Sequence, residues 1–374
     1  MKNQNFINRD FDYDVIIVGC GPAGSVTARY IQPKKNNLRV LILERKKKIG
    51  MPVQCGEGIL GFLGGREVGS SNYDKKGLFE CPEKIKAHRI DKLQFLTPKQ
   101  KIIEIPVGGH TIHRDLFDQY LAQRAIDEGA IIKKGVNFLG FKDKHTLLTN
   151  TGAITGNIIV GADGPISSVA KNCGLQPPKI MAKCVLTKIN GDFYDHTMKL
   201  FYGKMFRKGY GWVFSKGDHA NVGFGTEFYK KSTKTKITLR KILDDFIQKE
   251  LHIKKDDVFF RGGGLIPTGG LIPRIVKENI LIVGDAAGMV HPSTGAGIDS
   301  AMSAGRECGT AIMKYFLCNE DLKNYEEIVR SNLYSGYQKG LRVKKTFQWM
   351  TTSDITLELA FWVVKKVGIT KLLM

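Results

Sequence analysis

Two periodicities alternate along this 374-residue chain, and the changes between them outline its elements. Residues 15–18 (Val-Ile-Ile-Val) form an unbroken β-branched run, as expected of a strand covered on both faces, and residues 25–31 continue as a helix after a glycine turn. Residues 39–43 read as the next strand. From 60 to 105 short apolar runs at 90–96 and 102–105 alternate with turns and predict an inserted sheet. Residues 113–125 place apolar side chains at 117, 121 and 125, with 116 and 120 beside them, the spacing of a helix with one buried stripe. A strand at 130–135 follows, and the runs 157–161 and 279–283 predict two more buried strands. Between those two, the segment 183–261 has strand pattern at 183–189, 197–202, 211–214 and 220–224, with an amphipathic helix near 239–251. Two Leu-Ile-Pro turns, ending at Pro267 and Pro273, lead the chain back. Residues 322–345 predict one or two helices. The tail 355–373 carries Leu357, Phe361, Val364 and Leu372 among lysines, and is expected to pack on the first domain rather than on a bilayer.

The expected fold is therefore α/β. A discontinuous Rossmann-like domain takes residues 1–60, 106–180 and 262–320, an inserted β-rich (α+β) domain takes 61–105 and 181–261, and a short helical C-terminal segment takes 321–374.

The turn after the first strand gives that domain a ligand. Gly19-Cys-Gly21-Pro-Ala23-Gly24 is a GxGxxG sequence: Gly19 for the tight turn, Gly21 for approach of the backbone to a pyrophosphate, Gly24 for close packing of helix on strand. The helix N-terminus offers its free N–H groups to the phosphates. Glu44, at the end of the second strand and about 20 residues on, is where an acid accepts ribose hydroxyls. It would repel a 2′-phosphate, which leaves FAD or NAD.

Composition narrows the class without choosing the function. Hydrophobic residues make up 42%, too many for a disordered chain, and Lys plus Arg outnumber Asp plus Glu by 57 to 36, a net charge of +21. So basic a surface favours anionic partners such as acidic proteins or lipid headgroups. No zinc-finger or RNA-recognition signature accompanies it, so nucleic acid is not expected. The seven cysteines are widely spaced with no CxxC pair, which predicts neither a disulfide framework nor a metal site. A polar N-terminus without a signal-peptide core, and no uncharged apolar run of about 20 residues, predict a cytoplasmic protein whose membrane contact is peripheral.

Later segments specify the cofactor. Asp163 and Gly164 end one buried strand, Gly284 and Asp285 the other, and Asp285 is placed to accept flavin ribityl hydroxyls. Beyond it, Pro292-Ser-Thr-Gly-Ala-Gly297-Ile298 opens a helix whose N-terminus can stabilise negative charge on a reduced flavin. Arg114 starts its helix as a cation for a pyrophosphate, and the Val136 backbone can meet an adenine edge. Cys55, in the loop Pro52-Val-Gln-Cys55-Gly56-Glu57-Gly58, would bring a thiol near the reacting ring.

With GxGxxG, Asp-Gly and Gly-Asp in order over residues 14–309, the chain resembles the FAD-dependent oxidoreductases that include aromatic hydroxylases. Within them, Cys55-Gly56-Glu57 and Tyr210-Gly-Trp212-Val-Phe214, followed by Lys216 to Gly223, resemble geranylgeranyl reductases of the archaeal type. Ser215 departs from the family's usual proline. The resemblance implies FAD contacts at Gly19, Gly21, Ala23, Gly24, Glu44, Cys55, Gly56, Gly58, Arg114, Val136, Asp285, Gly297 and Ile298, with Asp163 and Gly164 shaping the site from behind. It implies an isoprenoid lipid substrate; the electron donor expected is NAD(P)H or, from the basic surface, an acidic ferredoxin, and the cysteine spacing leaves no metal expected.

Tyr210, Trp212 and Phe214 alternate along a strand and so share one side, which either walls an apolar tunnel for the lipid or belongs to ordinary sheet core. An isolated alkene has no carbonyl to polarise it, so a proton donor matters, and motif position allows Cys55 or Glu57. Two other classes remain open from sequence: a flavin-dependent monooxygenase or halogenase on a small aromatic, and a basic binding protein on a vestigial flavin fold. Intact Glu44, Arg114 and Asp285 speak against the latter.

Overall fold

A computed structural model of the chain describes residues 10–63, 66–67, 81–99, 101–206, 208–227 and 238–367. The first apolar run is β1 (Tyr13–Val18), with Val15, Ile16 and Ile17 wholly buried. Its glycine turn leads into α1 (Pro22–Ile31) and then β2 (Val40–Glu44). β3 (Gly58–Leu63), β4 (Lys86–Leu96) and β5 (Ile102–Ile112) depart into a second sheet. α2 (Arg114–Asp127), β6 (Ile131–Lys134) and β7 (Gly152–Gly161) return to the first. β8 (Met181–Phe193), β9 (Thr197–Phe201), β10 (Gly209–Ser215), β11 (Gly217–Glu227), α3 (Leu239–Lys249) and β12 (Val258–Pro267) rejoin the second. β13 (Ile280–Ile282) re-enters the first sheet, followed by α4 (Ile298–Cys318), α5 (Lys323–Met350) and α6 (Asp354–Val367).

The central path of the first sheet runs β13-β7-β1-β2-β6, parallel throughout, with Val15 opposite both Val40 and Ile158. The crossover β1-α1-β2 is the dinucleotide-binding unit. α4 lies close on α1 because Gly305 and Gly309 face its backbone; a Cβ at those positions would come within 2.7 Å of the Ala23 carbonyl oxygen and 2.4 Å of that of Thr27.

The second sheet runs β12-β8-β11-β10-β9-β4-β5-β3, antiparallel except for β9 beside β4. Its two faces differ. Val213, Val222 and Phe224 pack with Leu243, Phe246 and Ile247 of α3, whereas Cys184, Leu186 and Trp212 form a separate cluster on the opposite face.

Two features depart from the sequence expectations. The second sheet begins at Gly58, keeps β5 through Ile112 and keeps β12 through Pro267, so Gly262-Gly-Gly-Leu-Ile-Pro267 is a paired strand and not a returning linker. Glycine is needed there because a Cβ on Gly263 would sit 2.6 Å from the Cys184 carbonyl oxygen of the neighbouring strand. The tail helix α6 packs on the second sheet, not the first: Leu357 and Phe361 join Ile90, Leu93, Phe95, Ile105 and Met198. Periodicity reveals an apolar stripe but not the surface that receives it. The one or two helices expected at 322–345 are a single helix, α5, which bridges the sheets. Tyr325 Oη donates to the Ile282 carbonyl (3.0 Å) at one end, and Lys344 donates to Glu227 and to the Thr268 carbonyl (2.6 Å) at the other. The Lys230-Lys231 pair and the tail from 368 to 373 lie outside the described residues.

Candidate active site

The glycine turn is shaped by close backbone approach. Gly19 has φ +108° and its Cβ would lie 2.2 Å from the Ala162 carbonyl oxygen; a Cβ on Gly24 would lie 2.0 Å from the Gly19 carbonyl oxygen. At Gly21 a Cβ would meet nothing within 4 Å, so the turn is open on the side where phosphates approach. α1 starts there with Pro22 and no acid in its first turn, leaving its N-terminal field free for an anion. Ala23, at that start, faces Gly284. Glu44 is buried and accepts from the backbone N–H of Cys20 (3.0 Å) and of Lys46 (2.8 Å), which fixes the carboxylate beside the turn. The Val136 N–H donates to the Glu44 carbonyl (3.0 Å), which ties Val136 to the end of β2. Asp163 accepts from Ser167 Oγ (2.6 Å) and from the amides of Ser168 and Val169, capping a short helix behind the turn.

Opposite this turn, the loop 53–58 is clamped between two strands. Gln54 Nε2 donates to the Gly263 carbonyl (2.9 Å) on one side. On the other, Gly56 and Gly58 lie so close to β10 and β9 that added Cβ atoms would meet Phe214 Cε2 at 3.0 Å and Met198 Cε at 2.4 Å. The loop's glycines thus seat it against rings, and Cys55 is half-buried beside them.

Glu57 anchors the whole arrangement. It has φ +67° and no exposure, and its carboxylate accepts from Lys188 Nζ (3.0 Å), Lys216 Nζ (3.0 Å), Asn221 Nδ2 (3.0 Å) and the Arg114 N–H (3.2 Å). Burial alone would raise its pKa, but Lys216 and Lys188 outweigh burial and hold the carboxyl below its ordinary value. Burial pulls the Lys216 ammonium down, against the attraction of Glu57. Asn221 also donates to the Cys55 carbonyl (2.9 Å) and accepts from Trp212 Nε1 (3.0 Å), while the Glu57 N–H donates to Cys55 Sγ (3.2 Å). Of the two roles the motif left open for Glu57, the two ammonium groups that favour its ionised form suit an anchor for the loop better than a proton donor.

Arg114 is gripped by Asp118, four residues along α2, through Nε (2.7 Å) and Nη2 (3.3 Å). Burial works against its charge, but Asp118 and Cys55 outweigh it and push its pKa up. Asp285 lies near Gly297, the residue before α4, and burial raises its carboxyl to about 6, with Arg114 opposing. Ile298 begins α4, and Asp299 in its first turn partly offsets the dipole there.

Tyr210, Trp212 and Phe214 stand on one side of β10, ring centroids 6.2 and 6.3 Å apart, within the cluster that faces away from α3. Tyr210 Oη donates to the Thr294 carbonyl in the turn that opens α4, so this side of the second sheet touches the first domain at the Gly295–Ile298 turn. Lys188, Asp118, Thr294 and Met198 were not among the expected site residues. The spacing of Asp118 four residues after Arg114 is a signal that reading α2 for ion pairs would have caught. Lys188 gave only a single charge in an apolar strand.

The parallel sheet, the glycine turn with Glu44, and Arg114 and Asp285 converging from other segments define an FAD-dependent oxidoreductase. A family model described as lycopene cyclase protein matches residues 14–340. Digeranylgeranylglycerophospholipid reductase 3 of Methanosphaera stadtmanae is 30% identical, with 96% of this chain and 93% of that protein covered. Digeranylgeranylglycerophospholipid reductase of Methanococcus aeolicus is 31% identical over 92% of this chain and 89% of its own. A geranylgeranyl bacteriochlorophyll reductase-like protein from Thermoplasma acidophilum superimposes with a TM-score of 0.80 at 26% identity, covering 92% of this chain and 89% of that one. A flavin-dependent brominase at 15% identity and TM-score 0.67 shares the fold. The chain belongs to the family of digeranylgeranylglycerophospholipid reductases.

Proposed function

We propose that this protein saturates carbon–carbon double bonds in geranylgeranyl chains of membrane lipids or their precursors. When bound and reduced, FAD would supply the hydride. The glycine turn, Glu44 and Arg114 would hold the dinucleotide, Asp285 would accept from its ribityl hydroxyls, and the α4 N-terminus would favour negative charge on it. The second sheet binds the lipid, with Tyr210, Trp212 and Phe214 as an apolar wall that excludes water from the reacting carbons. Cys55 Sγ holds the proton for the second carbon, and Glu57 positions that loop. The observation that supports this reading is the closeness of Gly56, the residue after Cys55, to Phe214 and Trp212, which an added Cβ would meet at 3.0 and 3.6 Å. Electrons come from NAD(P)H or from an acidic ferredoxin, the latter favoured by the net charge of +21. A cytoplasmic location with peripheral attachment to the membrane suits such a substrate.

The test is anaerobic. The yellow protein, chemically reduced, is incubated with a geranylgeranyl lipid, and mass spectrometry follows gain of H2 per double bond. Absence of saturation, together with NADPH oxidation triggered by a small aromatic, would transfer the assignment to a monooxygenase.

A further inference from the structure

α6 carries two apolar stripes. Leu357 and Phe361 are buried on the second sheet. Ile355, Leu359 and Trp362, at the i, i+4, i+7 spacing of one helical face, point elsewhere and are 82%, 62% and 51% exposed. Trp349, at the end of α5, adds a ring that is 67% exposed. A helix that only had to cover a sheet would be polar on this side; large apolar residues gathered there mark an interaction surface.

The surrounding charge identifies its partner. Exposed Lys99, Lys101 and Lys204 lie on the segments that α6 contacts, and exposed Arg342 and Lys345 share a face of α5 with Trp349 at i, i+7 and i, i+4. The acids of α6 are turned into the protein. Asp354 accepts from the Lys204 N–H (2.8 Å), and Glu358 accepts from the Lys99 N–H (3.1 Å) and pairs with Lys101 Nζ (3.1 Å). Tryptophan and aliphatic residues inside a cationic rim match the boundary between acyl chains and anionic headgroups.

This surface is continuous with the site. The Phe361 ring on the inner side of α6 lies 6.3 Å from that of Tyr202, which lies 5.9 Å from Tyr210, whose neighbours along β10 are Trp212 and Phe214. An aromatic path therefore runs from beneath the exposed stripe to the Cys55 loop.

We infer that the face made by Trp349, Ile355, Leu359 and Trp362 docks the protein on an anionic bilayer, from which a lipid chain enters along the aromatic path. The entry of a lipid chain rests on the isoprenoid-reductase reading; the docking surface stands on exposure and charge. Co-sedimentation of the full chain with phosphatidylglycerol-containing and pure phosphatidylcholine vesicles tests it. The wild-type chain should sediment with the anionic vesicles and be released by salt. Ile355→Ser with Leu359→Ser should weaken binding about tenfold or more, and Arg342→Glu with Lys345→Glu should abolish the preference for anionic lipid. Both variants should keep the wild-type melting temperature and activity on detergent-dispersed substrate. Failure of the wild-type chain to bind, or equal binding by the variants, overturns the inference even if reduction in detergent proceeds. Binding that responds to the variants upholds the docking face even if no lipid is reduced, an outcome that would count against the reductase reading alone.

Discussion

Replacing Glu57 with glutamine probes the centre of the site most directly. The carboxylate has no exposure and balances two ammonium groups at 3.0 Å, one of which, Lys216, has a wholly buried side chain. Glutamine offers one acceptor and turns an NH2 group toward a cation, leaving buried positive charge uncompensated. Breaking one side of a buried pair costs about 3–5 kcal/mol, which in urea shifts the midpoint by roughly 1 M or more. The same change loosens the loop that the carboxylate pins, so labelling of the half-buried Cys55 thiol should accelerate. Adding Lys216→Met removes part of the uncompensated charge, and the double variant should be more stable than the summed singles predict by about 1–3 kcal/mol. The pH dependence has a definite sign. A carboxyl whose folded pKa lies below its unfolded value contributes stability that is present above about 4.3 and is lost as pH falls through the folded pKa. The glutamine variant should lack that acid transition. A loss below about 1 kcal/mol, or strict additivity with Lys216→Met, would refute the role of Glu57 as the charge that pins the loop.

Three further outcomes are expected. Burial lifts Asp285 to about 6, and the proposed bond from a ribityl hydroxyl would favour its ionised form, so FAD affinity measured by fluorescence should fall as pH drops below 6, by up to about tenfold per unit, and Asp285→Asn should flatten the curve. Asp118→Asn releases the bidentate grip on Arg114 and should weaken FAD binding roughly tenfold, with Km for lipid unchanged at saturating FAD. Gly223→Ala would drive a Cβ to 2.1 Å from Trp212 Cζ2; the displaced indole should raise Km for long isoprenoid chains while bound flavin stays at wild-type levels.

The first domain could be read from sequence because its signals are local. Val15 to Val18, the glycines and Glu44 lie within one β-α-β unit, and the spacing of 117, 121 and 125 fixed the buried side of α2. The charge balance around Glu57 was hidden for the opposite reason. Lys188 and Asn221 meet because β8 and β11 pair them directly, and Phe214 reaches the loop because it pairs with Asn221 in turn. Register between strands separated by insertions depends on tertiary packing, so no window of sequence shows it. Glu57 stood in the expected motif, but its role depended on partners from three other segments. For α6 the apolar stripe was visible and its receiving surface was not.

That helix also sets the order in which the molecule can be completed. Ile90, Leu93, Phe95 and Ile105 lie on strands made early, yet Leu357 and Phe361, which join their cluster, are synthesised much later, and the Glu358 contact with Lys99 spans 259 positions. Until α6 has emerged from the ribosome, an apolar patch on the second sheet stays open to water and to other nascent chains. Closure across such a separation is slow and vulnerable to aggregation. Truncation after α5 should therefore reduce the yield of soluble chains more than the melting temperature of those that fold.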